Sequence, residues 1–166
     1  GFAVGPRINA AGRLDDMSIG IECLMAPSDA AARPYARQLH QLNLDRRIIE
    51  GEMQGEAMQI IASMPEMAER EPPVALTLYR SGWHQGVIGI LASRVKDKLN
   101  RPAIAFADGD DGQLKGSARS IKGIHIRDVL DAVATRNPGL ISRFGGHAMA
   151  AGLTLDAAAL DDFSRA

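Results

Sequence analysis

Pro102 is followed by Ala103-Ile104-Ala105-Phe106-Ala107, then Asp108-Gly109-Asp110-Asp111-Gly112, then Gln113-Leu114-Lys115-Gly116-Ser117-Ala118-Arg119-Ser120. The first run is short and wholly apolar, as a buried strand requires. The second holds only turn formers. The third reads as a strand returning across that turn. Working outward, 74–79 reads as another strand, and 87–99 has helical spacing and many small residues. Downstream, Ile126, Val129, Leu130 and Val133 give 125–134 helical spacing, which Asn137-Pro138-Gly139 ends. Gly145-Gly146 reads as loop punctuation, 151–155 as a strand, and 157–163 as the start of a final helix. Strands and helices alternating around a hairpin make this an α/β unit with a mixed β-sheet flanked by helices.

The chain upstream is of another kind. Pro65, Pro72, Pro73 and four charges make 65–73 a linker. Before it, Tyr35, Leu39, Leu42, Ile49, Met53 and Ile60 form a narrow apolar stripe. Ser28-Asp29 can start a helix there. The stripe predicts one long helix over about 34–63, kinked in its first turn by Pro34, of the kind that bridges two bodies. Residues 1–27, rich in Gly, Pro and Ala, read as loops with a short helix near Ile19–Met25.

Composition narrows the function. In 166 residues there are 19 Lys+Arg and 20 Asp+Glu, a net charge of −1, with 46% hydrophobic and 23% charged residues. That is globular composition, not disorder. A generally basic surface is excluded, so a polyanion site must be local. One cysteine, Cys23, excludes an intrachain disulfide framework and a cysteine-based zinc site. Aromatics at 4% argue against a base-stacking platform. No apolar run is long enough to cross a bilayer, and no signal peptide is visible. A cytoplasmic excised fragment of a larger protein is the expectation.

Four stretches hold chemistry-bearing residues. Lys115, Arg119, Lys122 and Arg127 share 112–127 with no acid, and Gly116-Ser117-Ala118-Arg119-Ser120 joins guanidinium, hydroxyls and glycine, a set suited to phosphate. Gly145-Gly146-His147 places an imidazole where backbone can crowd a ligand. Trp83-His84-Gln85-Gly86 stands between strand and helix, where free amides favour anions, although Gly86, Gly89 and Ala92 equally suit close helix packing. Arg7, Asn9 and Arg13 lie in Gly5–Arg13, a basic loop. An exposed charged strand or a turn histidine would explain each stretch alone. His40, His84, His125 and His147 lack zinc-ligand spacing, and the 108–111 aspartates lack the closing Glu of a calcium loop, which makes them a solvated turn.

Taken in order, Gly5-Pro-Arg-Ile-Asn-Ala-Ala-Gly-Arg-Leu-Asp-Asp16, Trp83-His-Gln-Gly-Val-Ile-Gly-Ile-Leu-Ala-Ser-Arg94, Leu114-Lys-Gly-Ser-Ala-Arg-Ser120 and Phe144-Gly-Gly-His-Ala-Met-Ala-Ala-Gly152 closely resemble the C-terminal part of the RecJ family. These are single-strand-specific 5′→3′ DNA exonucleases of the DHH phosphoesterase superfamily. The resemblance implies that 1–27 is the tail of the catalytic domain, 28–64 the connecting helix, and 74–166 a DHH-associated nucleic-acid-binding domain. It implies a 5′-phosphate pocket at Arg7, Ser117 and Arg119, and a Gly145-Gly146-His147 loop that contacts substrate phosphate, His147 being the catalytic candidate. Asn9, Arg13, His84 and Ser120 join the expected substrate-binding set. Two Mn²⁺ or Mg²⁺ ions would sit in the family's catalytic domain, whose Asp-His-His triplet is absent here, so the resemblance assigns no metal ligand to this chain and implies that it is inactive alone. The implied partner is single-stranded DNA with a 5′-phosphate, in DNA repair and recombination, with a helicase or single-strand-binding protein possible beside it and no membrane. Two rivals remain open: a DHH phosphodiesterase for short oligonucleotides or cyclic dinucleotides, and a non-catalytic binding module like that appended to alanyl-tRNA synthetases.

Overall fold

A computed structural model describes residues 1–69 and 72–166. It divides into two compact units, Gly1–Glu52 and Met53–Ala166. The first contains α1 (Gly5–Leu14), α2 (Ser18–Met25) and the first part of α3 (Asp29–Ser63).

Gly5–Leu14 corrects the loop expected there. Pro6 sits in the first turn of α1, where its missing N–H costs nothing. Ala10 and Ala11 are fully buried, so their small side chains serve helix packing rather than loop flexibility. α3 also starts earlier than Pro34: the Ala31 amide donates to Ser28 Oγ at 3.3 Å, and the helix runs through the proline. Within α3, Arg46 donates to Glu50 at 2.9 Å and to Asn43 at 3.2 Å along the same helix.

In the second unit, α3 ends at Ser63 and a 3₁₀ turn covers Pro65–Ala68, within the segment read as a linker. Residues 70 and 71 of that segment lie outside the described residues. There follow β1 (Leu76–Tyr79), α4 (Gln85–Leu99), β2 (Ala103–Asp108), β3 (Gln113–Arg119), α5 (Ile126–Arg136), β4 (Arg143–Gly146), β5 (Ala150–Asp156) and α6 (Leu160–Arg165). The five strands form one mixed sheet in the order β1-β2-β3-β5-β4, parallel only between β1 and β2. Gly145-Gly146 is therefore strand, not loop: β5 supplies a ladder that local glycine content does not forecast. The final helix is split, with Ala157–Ala159 as a 3₁₀ turn capped by Asp156.

The faces of the sheet differ. Ile104, Phe106, Leu114, Ala118, Leu153 and Leu155 point to one side, where Ile126 and Leu130 of α5 and Phe163 of α6 close the core. Phe106 and Phe163 meet edge-on at 5.5 Å, worth about 0.5–1.5 kcal/mol beyond area burial. On the other side Ala103, Ala105 and Ala107 are fully buried, and α4 packs over β2 and β3. On that side of β5 and β4, Gly152, Gly145 and Arg143 remain exposed. The sheet thus has a packed half and an open half on its α4 face.

Candidate functional site

Strand periodicity places Lys115, Ser117 and Arg119 together on the α4 face of β3, all half-buried. Arg119 Nη1 donates to Ser117 Oγ at 2.9 Å and to the Ala118 carbonyl at 2.8 Å. The guanidinium lies close against α4 where Gly89 has no side chain. A Cβ built there would stand 2.8 Å from Arg119 Nη2 and 3.2 Å from Ser117 Oγ. Gly89 is thus part of the arginine's cradle, which its sequence reading as helix packing does not include. The available signal is a glycine in the middle of a helix with strong apolar neighbours, where it costs about 1 kcal/mol against Ala.

The end of β3 meets the β4–β5 hairpin. Gly146 has φ +151° and its missing Cβ would lie 2.4 Å from the Ala150 carbonyl oxygen, so only glycine fits. His147 follows at the exposed tip, and its amide donates to that carbonyl at 2.8 Å. Two further amides pin the tip: Ser120 N–H donates to Met149 O at 3.0 Å, and Ile126 N–H to Ala148 O at 2.9 Å. Ser120 itself is fully buried, with its hydroxyl donating to Ile124 O at 2.8 Å. It therefore holds the hairpin. Arg119 pairs in register with Ala150, so arginine and His147 tip share one end of the sheet.

The β1–α4 connection is tied at both ends by carboxylates. Asp108 accepts the Tyr79 hydroxyl at 2.6 Å, the Ser81 hydroxyl at 3.0 Å and the Gly82 amide at 2.9 Å. Its backbone carbonyl accepts Gln85 Nε2 at 2.7 Å. The Tyr79 hydroxyl first, then the Gly82 amide, hold the Asp108 carboxyl below its ordinary value. Asp108 in turn pushes the Tyr79 phenol up. Asp108 is thus a hub at the exposed end of β2, not only a turn residue. On the other flank, Trp83 Nε1 donates to Glu56 Oε2 at 2.7 Å, and Arg80 lies 3.6 Å from Glu56 Oε1. So held, His84 caps α4: its Nδ1 accepts the Gly86 amide at 3.0 Å. The neutral ring then carries its proton on Nε2, free to donate.

In the first unit, α1 turns the three expected residues apart. At 100° per residue, Asn9 and Arg13 share a helix face, and Arg7 points to another. Asn9 and Arg13 are exposed, while Arg7 is half-buried and donates to the Ala3 carbonyl. A helix, unlike a loop, cannot converge all three.

The model of the DHHA1 domain family matches residues 71–166, more than half of the chain. The chain belongs to that family.

Relatives of the DHHA1 chain extend the match to its whole length. It is 52% identical over 163 residues to the single-stranded-DNA-specific exonuclease RecJ of Haemophilus influenzae, covering 98% of this chain and 28% of that protein. The same enzyme of Escherichia coli K12 is 52% identical over 156 residues, with 27% of its length covered. Among solved structures, RecJ of Thermus thermophilus in complex with Mn²⁺ superimposes with a TM-score of 0.83 at 32% identity, over 99% of this chain and 23% of that one. The chain spans between a fifth and little more than a quarter of the length of the curated relatives it matches. The long helix and the mixed, helix-flanked sheet are the architecture of the matched structure. Among the described residues of this DHHA1 chain, no cluster of three His, Cys, Asp or Glu could hold a metal ion. None of its described helices is long and apolar enough to cross a membrane.

Proposed function

We propose that the chain is the substrate-positioning part of a 5′→3′ single-stranded-DNA exonuclease. Its task is to seat the strand and its 5′-phosphate against a catalytic centre supplied by another part of the protein. The observation that carries this is the Arg119–Ser117 pair lying in the Gly89 cradle beside the pinned His147 hairpin. A guanidinium fork and a hydroxyl on adjacent outward positions of one strand match the donor geometry of a terminal phosphate. That match supports reading polarity: a site for a chain terminus fixes the register of every linkage behind it.

The roles divide as follows. Arg119 and Ser117 donate to the terminal phosphate. His147, at the hairpin tip, contacts the phosphate of the scissile linkage, and Gly145 and Gly146 let the strand approach the backbone. Ser120 acts through the hairpin it holds, and His84 offers Nε2–H from the α4 cap. In the first unit, taken by itself, Asn9 and Arg13 on one face of α1 and Arg7 on another are further candidate contacts for the strand. The relatives with solved structures are described in complex with Mg²⁺ or Mn²⁺. The contribution we assign to the chain itself is binding and registration. Correct placement alone can supply ~7–11 kcal/mol of barrier reduction.

Titration of the chain with 5′-phosphorylated and 5′-hydroxyl single strands tests this. Arg119→Ala should weaken binding of the phosphorylated strand more than of the hydroxyl strand, and Lys98→Ala, on the exposed end of α4, should change neither. Loss of a true contact should also flatten the salt dependence by about 0.7 in the log–log slope. Identical titrations for the two variants would remove Arg119 from the site. The isolated chain should release no nucleotides with Mn²⁺ or Mg²⁺.

A further inference from the structure

Some cations of this chain sit beside carboxylates: Arg46 with Glu50, Arg80 with Glu56, Lys96 with Asp97, Arg165 with Asp162. Lys115 and Arg143 do not. In the sheet register Lys115 pairs with Thr154, and Thr154 pairs with Arg143, so the three form one row across β3, β5 and β4. The row runs from half-buried Lys115 over buried Thr154 to exposed Arg143, out onto the open half of the α4 face. Lys115 Nζ rests on neutral acceptors, Thr154 Oγ1 at 3.3 Å and Gln113 Oε1 at 3.5 Å. Arg143 is exposed on the edge strand. Among the described residues no carboxylate comes within ion-pair distance of either. Asp156 lies on the same face beyond the row, and its Oδ1 is turned to the Ala158 amide at 2.8 Å. Two like charges across one small polar residue repel, and a bound anion would relieve that repulsion.

A second row lies between these cations and Arg119. Ser117, Gly152 and Gly145 are in register. The two glycines are exposed, and nothing crowds them: a Cβ on Gly145 would meet no atom within 4 Å, and one on Gly152 would meet only Gly116 O at 3.9 Å. Neither has a backbone angle that demands glycine. Internal packing therefore gives no reason for the bare floor.

We infer that the Lys115–Thr154–Arg143 row is a second phosphate-binding site, for the backbone of the same single strand downstream of its 5′ end. This rests on the nucleic-acid reading of the Arg119 site. Lys115 is four residues from Arg119 along β3, about 13–14 Å at ~3.4 Å per residue. A stacked strand covers that in about four nucleotides at ~3.4 Å each, and a stretched one in fewer. The strand crosses the glycine row, where sugars and bases lie close to the sheet without meeting a side chain. The row measures length: a dinucleotide cannot reach it from the Arg119 site, and an octanucleotide can.

The test uses the full chain with 5′-phosphorylated dT2 and dT8, in titrations at several salt concentrations. The wild type should bind dT8 more tightly than dT2. The double variant Lys115→Gln/Arg143→Gln should bind dT2 unchanged and lose about tenfold on dT8. Its salt slope on dT8 should fall by about 1.4, two contacts at about 0.7 each. Arg143→Glu, a single change on an exposed edge position, should weaken dT8 and spare dT2, which keeps the test valid if the double variant folds poorly. If Arg119→Ala weakens both lengths while neither variant moves dT8, the function stands and the second site is overturned. Equal loss on dT2 and dT8 also overturns it. If the wild type binds neither oligonucleotide, the function falls and takes this site with it.

Discussion

Gly89 and Arg119 are fitted to each other: a Cβ on the glycine would lie 2.8 Å from the guanidinium Nη2. The colliding atom is the far end of a flexible side chain, so an alanine can be housed by moving the arginine. Gly89→Ala should therefore keep or raise stability, since alanine gains up to about 1 kcal/mol over glycine inside a helix. Binding of a 5′-phosphorylated strand should fall about as far as in Arg119→Ala. A thermal melt and a titration on one sample check both halves. Unchanged affinity would show that the cradle does not place the guanidinium.

The two hairpin glycines should part company. Gly146→Ala forces a strained backbone angle and a Cβ 2.4 Å from a carbonyl oxygen, so it should cost about 1–3 kcal/mol of stability or more. Gly145→Ala meets open space and should shift stability by no more than about 0.5 kcal/mol. It should weaken strand binding, because the added methyl stands on the floor the strand crosses. Denaturant melts of both variants, with titrations of the Gly145 one, separate packing from contact.

These pairs show which parts of the molecule the amino-acid order discloses. The apolar run at Ala103–Ala107 and the alternation through Arg119 are visible because strand periodicity is local. So is the stripe from Tyr35 to Ile60, because helix spacing is local. The register that sets Ser117 beside Gly152 and Gly145 is not, since it is fixed by pairing across 35 residues. Gly145-Gly146 reads as loop for the same reason. Gly5–Leu14 reads as loop because its alanines and glycine do not reveal which face they bury. Asp108 is informative only once β1 brings Tyr79 alongside it, and Gly89 only once α4 lies on Arg119.

Asp108 gives stability a two-sided pH dependence. Its carboxyl is held below the ordinary value of 3.8, chiefly by the Tyr79 hydroxyl. A lowered folded-state value contributes stability above the unfolded value, and that is lost as pH falls through the folded one. The Tyr79 phenol is raised above its ordinary 10.0, chiefly by the same bond. A raised value contributes stability below the unfolded one, lost as pH climbs through the folded one. The chain should therefore lose stability below about pH 4 and again above about pH 10. Asp108→Asn should flatten both limbs and lower the plateau, as melting temperatures across pH 3–11 would reveal. Limbs that persist unchanged in the variant would assign them to other groups.

Glu56 and Trp83 make the last case, because they tie the end of the long helix to the sheet. Met53, Ala57 and Ile61 are buried at 4%, 0% and 6% exposure, and the second compact unit begins at Met53. A fragment 53–166 should therefore fold cooperatively. A fragment 72–166 keeps every strand but loses this apolar face and the Glu56 acceptor. Burying a side chain such as Ile or Met contributes about 1.5–3 kcal/mol, so the shorter fragment should be weaker by at least about 2 kcal/mol. For a domain of this size that is ~8 °C or more in melting temperature. Trp83 is the single tryptophan of the chain, so its emission reports the contact directly. In 72–166, and in Glu56→Ala within the full chain, the emission should shift as the indole N–H loses its carboxylate. Equal melting temperatures and equal spectra for the two fragments would show that the sheet does not depend on the helix end. The β1–α4 loop, and His84 with it, would then be placed by Asp108 alone.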